Sequence, residues 1–363
     1  MTTTSSTTLP LPASFSLDAR LQRPLVILLA LAAPLLALAM GKSWVRVLDF
    51  ALLYVLLAIG LNLVVGFAGL LDLGYIAFYA VGAYTWAFLA SPHFGIHLPF
   101  WIVLPLGAGF AALAGLALGF PTLRLRGDYL AIVTLGFGEI IRIFMNNLNQ
   151  PINITNGPQG IDSIDPLTIA GLDLSRDLDL FGVQIPSLML YYYAFLGCVV
   201  VALILVRRLQ ISRIGRAWAA IRDDELAAKA IGIDTRMMKL LAFALGATFG
   251  GVSGGLFAAF QGFVSPESFS LMESIVVLTM IVLGGMGNLA GVVVGAILLT
   301  ALPELLRHFA VPMQMALFGK TLLDPEVLRM LLLSLAMIVM MLVRPAGLLP
   351  ARTRYAHRDR RNA

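Results

Sequence analysis

The stretch Ile275-Val-Val-Leu-Thr-Met-Ile-Val-Leu-Gly-Gly-Met-Gly-Asn-Leu-Ala-Gly-Val-Val-Val-Gly-Ala-Ile-Leu-Leu-Thr-Ala-Leu302 contains no charged residue. A bilayer core about 30 Å thick needs roughly 20 helical residues for each crossing. The stretch is therefore long enough for one generous membrane helix. The segment Gly284-Gly-Met-Gly-Asn288 interrupts it in the middle, however, where helix propensity is poor. How often this stretch crosses the membrane must be decided by the charges elsewhere in the chain.

The composition of the whole chain agrees with a membrane location. Of its 363 residues 59% are hydrophobic and only 12% are charged, and the mean hydropathy is +0.90. A soluble domain carries about twice that charged fraction. Disordered chains, collagen and soluble repeat arrays are excluded by the same figures, and a disulfide scaffold is excluded because Cys198 is the lone cysteine. The chain is an integral membrane protein.

Apolar runs of spanning length recur along the chain. They lie near 25–41, 47–66, 69–90, 100–120, 129–147, 188–206, 240–262, 275–302 and 328–343. Since backbone polar groups inside a bilayer must be satisfied within each span, these runs predict an all-α polytopic protein.

The basic residues predict the orientation. Eight of them fall in 207–239 and six in 344–363, whereas 148–187 holds five Asp and one Arg. By the positive-inside rule the first two segments face the cytoplasm and the third faces outward. An even number of crossings must then separate 239 from the tail, so 275–302 should hold two short segments that turn at the glycines. The prediction is about ten membrane segments with both termini cytoplasmic.

This topology divides the chain into three parts. Residues 1–22, rich in Thr and Ser, are predicted to form a flexible cytoplasmic tail, and no signal-peptide pattern is present. Residues 23–345 form the membrane domain, with 148–187 as a periplasmic loop and 207–239 as a cytoplasmic loop. Residues 346–363 form a basic cytoplasmic tail.

The cytoplasmic loop 207–239 reads as two short helices. Asp223 or Asp224 can cap the second helix, Glu225 and Lys229 form a favourable i,i+4 pair, and Gly232 suits a helix end. One interpretation is an amphipathic linker on the membrane surface. The other is a docking element, in which Trp218 and Ile221 need a partner to bury them, and Arg216, Arg222, Asp223 and Asp224 supply polar contacts at the rim.

Several motifs occur in order along the chain. They are Asn62-Leu-Val-Val-Gly66, Gly74-Tyr-Ile-Ala-Phe-Tyr-Ala-Val-Gly-Ala-Tyr84, Arg126-Gly-Asp-Tyr-Leu-Ala131, Gly136-Phe-Gly-Glu-Ile-Ile-Arg142, Thr155-Asn-Gly-Pro158, Gly215-Arg-Ala-Trp-Ala-Ala-Ile-Arg-Asp-Asp-Glu225, Gln261-Gly-Phe-Val-Ser-Pro-Glu-Ser-Phe269, Val282-Leu-Gly-Gly-Met-Gly287 and Arg344-Pro-Ala-Gly-Leu-Leu-Pro350. Together they resemble the LivM-type permeases of bacterial ABC importers for branched-chain amino acids, over residues 20 to 350.

The resemblance implies a fold, a location and a set of partners. The fold is that of type II ABC import permeases, with two inverted-repeat bundles around a pathway, in the bacterial inner membrane. The implied partners are a second, LivH-like permease subunit, two cytoplasmic LivG/LivF-like ATPase subunits and a periplasmic amino-acid-binding protein, with no nucleic acid. Residues 215–232 resemble the coupling helices that dock into the ATPase, so Gly215, Arg216, Trp218, Ile221, Arg222, Asp223, Asp224 and Glu225 are the expected coupling residues.

Charged residues inside membrane spans are candidate functional groups by default. Glu139 and Arg142 lie three residues apart on one helix face and could pair with each other or contact a passing zwitterion. Asp72 is expected to act as a buried cap at a break in the chain, and a ligand contact is the alternative. The expected pathway residues are Asn62, Asp72, Tyr75, Glu139, Arg142 and Gln261, and the expected contacts for the binding protein are Asn156 and Glu267.

Other chemistries find little support in the sequence. No G-x-x-x-x-G-K-[ST] motif occurs, so the chain binds no cofactor itself and ATP is used by its partners. Gly285-Met-Gly-Asn-Leu-Ala290 matches a dinucleotide pattern, but no soluble βαβ unit surrounds it. The four His and Cys198 form no metal set, and no catalytic cluster indicates an enzyme. A permease for urea or short amides remains an alternative, as does an ion-coupled secondary transporter using Glu139 or Asp72.

Overall fold

The structure, a computed structural model, describes residues 19–123, 125, 127–169, 171–180, 183–318, 325–344 and 347–349. Most of the predicted tail 1–22 and nearly all of the predicted tail 346–363 lie outside these residues, as does the motif residue Arg126.

The described chain is mostly helical. Its helices are α1 (Ala19–Met40), α2 (Lys42–Asn62), α3 (Ile76–Leu89), α4 (Phe100–Thr122), α5 (Asp128–Asn147), α6 (Ser187–Ile211), α7 (Arg213–Asp223), α8 (Glu225–Ala230), α9 (Thr235–Gln261), α10 (Leu271–Gly284), α11 (Leu289–Phe318) and α12 (Pro325–Val343). Five helical stretches are long and apolar enough to cross a membrane, namely Lys42–Phe67, Phe100–Thr122, Ser187–Ile211, Thr235–Gln261 and Leu289–Gln314. Shorter apolar helices accompany them, which is the pattern of a polytopic membrane protein.

The predicted interruption of 275–302 is confirmed. Helix α10 ends at Gly284 and α11 begins at Leu289, and between them Gly285 and Gly287 have φ values of +120° and +83°. Such positive φ values favour glycine because it lacks a Cβ. The two helices also touch through glycines, since a Cβ on Gly284 would lie 2.2 Å from the carbonyl oxygen of Gly291. The stretch thus belongs to two helices that cross closely and turn at the glycines. The expectation that both are short holds for α10, with 14 residues, and is wrong for α11, which has 30 residues and is long enough to cross a membrane.

The segment 347–349, which follows α12, lies against this helix break. Leu348 and Leu349 donate backbone hydrogen bonds to the carbonyl oxygens of Leu283 and Gly284, at 2.9 and 3.0 Å. The side chain of Asn288 donates to the carbonyl oxygen of Leu349 at 3.0 Å. The carbonyls left free at the end of α10 are therefore satisfied by a distant part of the chain.

Helix α9 packs closely against α3 and α4 through small residues. A Cβ on Gly254 would lie 2.0 Å from the carbonyl oxygen of Tyr79, and one on Gly82 would lie 2.1 Å from that of Gly251. Small residues permit this backbone approach, which is the main source of helix association in lipid. Helix α2 lies at the centre, and nearly all of its residues from Ala51 onward are buried.

The prediction of an all-α protein is confirmed in that the described chain is mostly helical, and three short hairpins accompany the helices in the loops of the described residues. They pair β1 (Ala90–Ser91) with β2 (Ile96–His97), β3 (Thr168–Ile169) with β4 (Leu172–Asp173), and β5 (Leu178–Leu180) with β6 (Val183–Ile185). Glycines of positive φ, Gly95 and Gly171, lie in the first two turns. Strands this short have too little apolar periodicity to be seen in the sequence.

Two loops meet at one end of the bundle. Ile161, between α5 and α6, exchanges backbone hydrogen bonds of 2.8 and 2.9 Å with Val264, between α9 and α10. The segments 148–187 and 262–270 therefore belong to the same side of the molecule.

Candidate functional site

The segment between α6 and α9 is built from two capped helices, as predicted. Ser212 accepts from the N–H of Gly215 at the start of α7, and Asp224, rather than Asp223, caps α8 by accepting from Leu226 and Ala227. Asp234 caps α9. These caps satisfy the N–H groups that a helix start leaves unpaired. The caps fix the directions of α7 and α8 relative to the neighbouring helices α6 and α9.

Gly215 lets α7 turn tightly against the end of α6. A Cβ at this position would lie 2.5 Å from the carbonyl oxygens of Leu209 and Gln210. Arg216 lies on the outer side of the same turn, where its guanidinium donates to the carbonyl oxygen of Ile211 at 2.9 Å. Both residues therefore position α7 relative to α6.

The structure corrects the expectation that a partner covers Trp218 and Ile221. The Trp218 side chain is 0% exposed and Ile221 is 6% exposed, within the chain itself. The indole Nε1 of Trp218 donates to the carbonyl oxygen of Met238 at 2.8 Å. These two residues attach α7 to α9, and their role toward an ATPase stays a prediction.

A different set of apolar side chains is exposed here. Leu226 is 65% exposed, Ile231 74% and Met237 58%. Ala228 is the buried residue of α8, so Leu226, two positions away on the helix, faces outward. The size of the side chains alone points to Trp218 and Ile221 and therefore does not reveal this set. Helical spacing from Ala228 is the signal that could have found it.

Glu225 is the centre of a charge network. Its carboxylate pairs with Lys229 at 3.0 Å and with Lys239 at 2.9 Å, and Thr235 contributes a hydroxyl. Burial raises the pKa of Glu225, but the hydrogen bonds and charges of the two lysines outweigh it and lower the pKa to about 2. The predicted Glu225–Lys229 pair is confirmed, and Lys239 adds a link from α8 to α9.

Arg222 points toward the membrane helices. Its guanidinium Nη1 donates a hydrogen bond to the carbonyl oxygen of Gly66, in a π-helical turn (Leu63–Phe67) that follows α2. Its Cγ lies 3.0 Å from the position that a Cβ on Gly69 would take, and Gly69 has a φ of +70°. Asp223, the next residue, is exposed. Arg222 is therefore held by the membrane domain.

Asn62 connects the same π-helical turn to the break between α10 and α11. It is fully buried, and its Oδ1 accepts from the backbone N–H of Gly287 at 2.8 Å. A Cβ on Gly66 would lie 2.0 Å from that Oδ1. A continuous set of contacts thus joins Arg222, Gly66, Asn62 and Gly287.

Two other expected pathway residues lie in the protein interior. Asp72 is 1% exposed, and its Oδ1 accepts from the N–H of Gly74 at 2.9 Å, whereas its Oδ2 has no hydrogen-bond partner among the described residues. The hydroxyl of Tyr75 donates to the carbonyl oxygen of Gly246 at 2.7 Å. Asp72 acts as a local cap at the chain break before α3, and Tyr75 attaches that break to α9.

The remaining polar candidates lie toward the end of the bundle that carries 148–187. Arg142 pairs with Glu139 at 2.5 Å, as the spacing predicts, and also with Glu267 at 3.1 Å. Gln261 accepts from the guanidinium of Arg46 at 3.1 Å. The Arg142–Glu267 contact joins α5 to the 3₁₀ turn Pro266–Phe269, and no sequence pattern could show it.

Asn156 has a local structural role. It lies in the left-handed region at φ 60°, and its Nδ2 donates to the carbonyl oxygen of Gly160 at 2.8 Å. Its backbone N–H and its Oδ1 contact the side chain of Asn153. Asn is one of the residues that tolerate this backbone conformation. Asn156 thus shapes the loop between α5 and α6.

Comparison with known proteins identifies the family of this helical chain. The sequence profile described as "Branched-chain amino acid transport system / permease component" matches residues 43–342. The chain belongs to this permease family. The permease is 45% identical over 338 residues to the high-affinity branched-chain amino acid transport system permease protein LivM of Escherichia coli K12, covering 90% of this chain and 73% of that protein. No solved structure matches it significantly.

More distant relatives include both kinds of permease. The probable LivM of Methanocaldococcus jannaschii is 24% identical over 277 residues, covering 75% of this chain and 74% of that protein. The LivH permease of Escherichia coli K12 is 26% identical over 252 residues, covering 68% and 79%. These relatives are transport permeases, and the permease described here is a membrane translocation component rather than an enzyme. Within the described part of the permease, no group of three His, Cys, Asp or Glu could hold a metal ion.

Proposed function

We propose that the chain is the translocating subunit of an ATP-driven importer for branched-chain amino acids in the bacterial inner membrane. The observation that carries this proposal is the match of residues 43–342 to the permease family, together with 45% identity to a LivM protein. Because the sequence has no P-loop, ATP hydrolysis falls to separate subunits.

The proposed topology has ten membrane segments, with 148–187 periplasmic and 207–239 and both termini cytoplasmic. The contact between Ile161 and Val264 supports one common outer face, and the contact of Arg222 with Gly66 supports an inner face at the end of α2. The order of a long helix, a chain break, a short helix and two further helices occurs twice, from α2 to α5 and from α9 to α12. This repetition, with α2 and α9 running in opposite directions, supports two inverted bundles.

The proposed assembly pairs this chain with a second, LivH-like permease. The similarity of a LivH protein to 68% of the chain supports two subunits of one fold. Two LivG/LivF-like ATPases would bind on the cytoplasmic side, and a periplasmic amino-acid-binding protein would deliver the substrate.

The coupling surface, defined as Leu226, Ile231 and Met237, is the proposed centre of the ATPase contact. These exposed apolar side chains lie beside exposed Arg216, Asp223 and Asp224. An apolar centre with a polar rim is the usual anatomy of a protein interface. This surface is held in place by contacts with α6 and α9. The residues that make them are Gly215, Trp218, Ile221 and Glu225.

Motion of the coupling surface would reach the membrane through Arg222. The contacts from Arg222 to Gly66, and from Asn62 to Gly287, run from α7 through the end of α2 to the α10–α11 break. Glycines at both breaks give the backbone freedom to change there. A rigid-body shift of α7 as the ATPases close would bias two states of these breaks.

The outer face would receive the binding protein through Asn156 and Glu267. Glu267 is 62% exposed while Arg142 holds it, so it presents a positioned carboxylate at the surface. Glu139, Arg142 and Gln261 would border the outer end of the pathway, and Asn62, Asp72 and Tyr75 would hold the helix breaks along it.

Reconstitution of the purified importer tests this function. Proteoliposomes that contain both permeases and the ATPases, with external binding protein, should accumulate labelled leucine only when ATP is enclosed with the ATPases. Uptake without the ATPases, driven by an ion gradient, would contradict an ATP-driven importer. Retention of urea or an amide by the co-assembled binding protein would replace the substrate assignment.

A further inference from the structure

A cavity of about 210 Å³ lies between α2, α10 and α11, and it includes none of the residues discussed above as pathway candidates. It is lined by Val47, Phe50, Tyr54, Glu273, Val276, Met280, Leu299, Thr300 and Pro303. Helix α2 belongs to the first proposed bundle, and α10 and α11 belong to the second. The cavity therefore lies where the two bundles meet.

One end of the cavity carries a carboxylate. The hydroxyl of Tyr54 donates to Oε2 of Glu273 at 2.9 Å, and among the described residues no basic side chain forms an ion pair with Glu273. Glu273 lies in the first turn of α10 and is half-buried. A carboxylate in a partly desolvated site is best satisfied by a cation or further donors. A ligand ammonium group has this chemistry.

The walls are apolar. Val276, Met280 and Leu299 face the cavity from the second bundle, and Val47 and Phe50 face it from the first. Since a water molecule takes about 30 Å³ in the liquid, the volume corresponds to roughly seven water-sized groups. A branched side chain of three or four carbons and an ammonium group fit within it.

A guanidinium lies on the same face of α2. Arg46, Phe50 and Tyr54 follow each other at four-residue spacing, which places them in one row along the helix. The Arg46 guanidinium carbon lies 5.9 Å from the centre of the Phe50 ring. The row thus offers a positive charge, an aromatic wall and, through Tyr54, the carboxylate of Glu273, over about 12 Å of helix.

We infer that this cavity is an entry subsite for an α-amino acid with a branched apolar side chain. Glu273 and Tyr54 receive the ammonium group, the side chain lies between Val276, Met280 and Leu299, and the carboxylate remains toward the mouth on the Arg46 side. The inference rests on the proposed function and names the substrate contacts inside it. Apolar walls with a few placed polar groups are typical of small-molecule sites.

Direct binding to the purified importer without its binding protein tests the subsite. Saturable binding of labelled leucine is expected, and Glu273→Gln and Tyr54→Phe should weaken it about tenfold and severalfold, respectively. Glu304→Gln is the matched control, since Glu304 is also a half-buried carboxylate on a helix of the second bundle, pairs with Arg307 at 3.6 Å and does not line the cavity. The control should bind leucine within twofold of the unmodified importer.

Analogues separate the two ends of the ligand. The amine 3-methylbutylamine should compete with leucine, whereas 4-methylpentanoate, which lacks the amino group, should not. Val276→Phe, which fills the cavity, should abolish binding without loss of the folded importer. Equal competition by 4-methylpentanoate, or equal binding by the Glu273 and Glu304 variants, would overturn the subsite. So would leucine binding that survives Val276→Phe, the result expected if a lipid chain occupies the cavity.

The same preparations distinguish this inference from the proposed function. One outcome is that the unmodified importer accumulates leucine with ATP while Glu273→Gln leaves the affinity for leucine unchanged. In that case only the subsite is wrong. If the unmodified importer accumulates no amino acid under any condition, the proposed function itself is wrong.

Discussion

The Arg222 guanidinium donates a hydrogen bond to the carbonyl oxygen of Gly66, so helix α7 is bonded directly to the turn that follows α2. The aliphatic part of Arg222 also lies against Gly69, where a Cβ would come within 3.0 Å of the Arg222 Cγ. A hydrogen bond from a charged donor contributes about 1.5–3 kcal/mol. Such a bond biases two conformations when it forms in one of them and not in the other.

Arg222→Ala should uncouple ATP hydrolysis from uptake. We expect leucine uptake to fall about tenfold or more while the ATPase activity of the complex persists. The ATPases still bind, but a shift of α7 no longer moves the helix breaks after α2 and between α10 and α11. Paired uptake and phosphate-release assays in proteoliposomes measure this ratio. Arg213→Ala is the control, since Arg213 is an exposed arginine at the start of the same helix, whereas Arg222 makes the bond to Gly66. An equal fall of both activities in the Arg222 variant would contradict the prediction.

Leu226→Asp should release the ATPase subunits. A charge at the centre of an apolar contact typically costs 2 kcal/mol or more, which is about a thirtyfold loss of affinity. Co-purification through a tag on the permease measures it. Leu172→Asp serves as the control, because Leu172 is similarly exposed but lies in the outer loop. If the ATPases remain bound to the Leu226 variant at the same ratio, the coupling surface lies elsewhere.

The Glu225 network should make the segment 207–239 acid-sensitive. The pKa of this carboxyl is lowered to about 2 in the folded chain, so its stabilising effect is complete above the ordinary value of 4.5 and is lost as the pH falls toward 2. Because solvent screens these pairs, the loss is on the order of 1–2 kcal/mol, less than the whole shift would give.

Thermal unfolding of the permease and of Glu225→Gln, followed from pH 6 to pH 3, checks this effect. The two proteins should differ most near pH 6 and converge as the pH falls. Asp223→Asn, which removes an exposed carboxylate, should track the unmodified protein at every pH. A pH-independent gap between the permease and the Glu225 variant would show that the lysine pairs contribute nothing.

Gly284→Ala should destabilise the permease. A Cβ at this position would lie 2.2 Å from the carbonyl oxygen of Gly291, so α10 and α11 would have to separate, at a cost of about 1–3 kcal/mol. Gly109→Ala in α4 is the matched control, because its Cβ would meet nothing within 4 Å. The control should stabilise helix α4 by about 0.5–1 kcal/mol. Equal melting temperatures for the two variants would contradict the close crossing.

Local sequence signals predicted local structure well. The apolar runs, the glycine interruption at 284–288, the cap at Asp224 and the Glu225–Lys229 pair all follow from residues within a few positions of each other. Such interactions depend on helical spacing alone, and spacing is visible in a single sequence.

Contacts between distant segments could not be predicted in this way. Trp218 is of a residue type common in protein interfaces, yet it is buried against α9. Arg142 pairs with Glu267, which lies more than a hundred residues away in the sequence. The expected pathway residues Asn62, Asp72 and Tyr75 are buried and form hydrogen bonds at helix breaks. The polar residues that line the cavity between the bundles are instead Tyr54 and Glu273. Which polar residue faces a cavity depends on how the helices pack.

The pairing of Leu348 and Leu349 with Leu283 and Gly284 has a consequence for biosynthesis. The turn between α10 and α11 acquires its last hydrogen bonds only after α12 has entered the bilayer and the following residues have left the ribosome. At translation rates of about 5–20 residues per second, this delay lasts several seconds. During that interval the unpaired carbonyls at the end of α10 distinguish an unfinished permease from a finished one, at the turn where Gly287 bonds to Asn62.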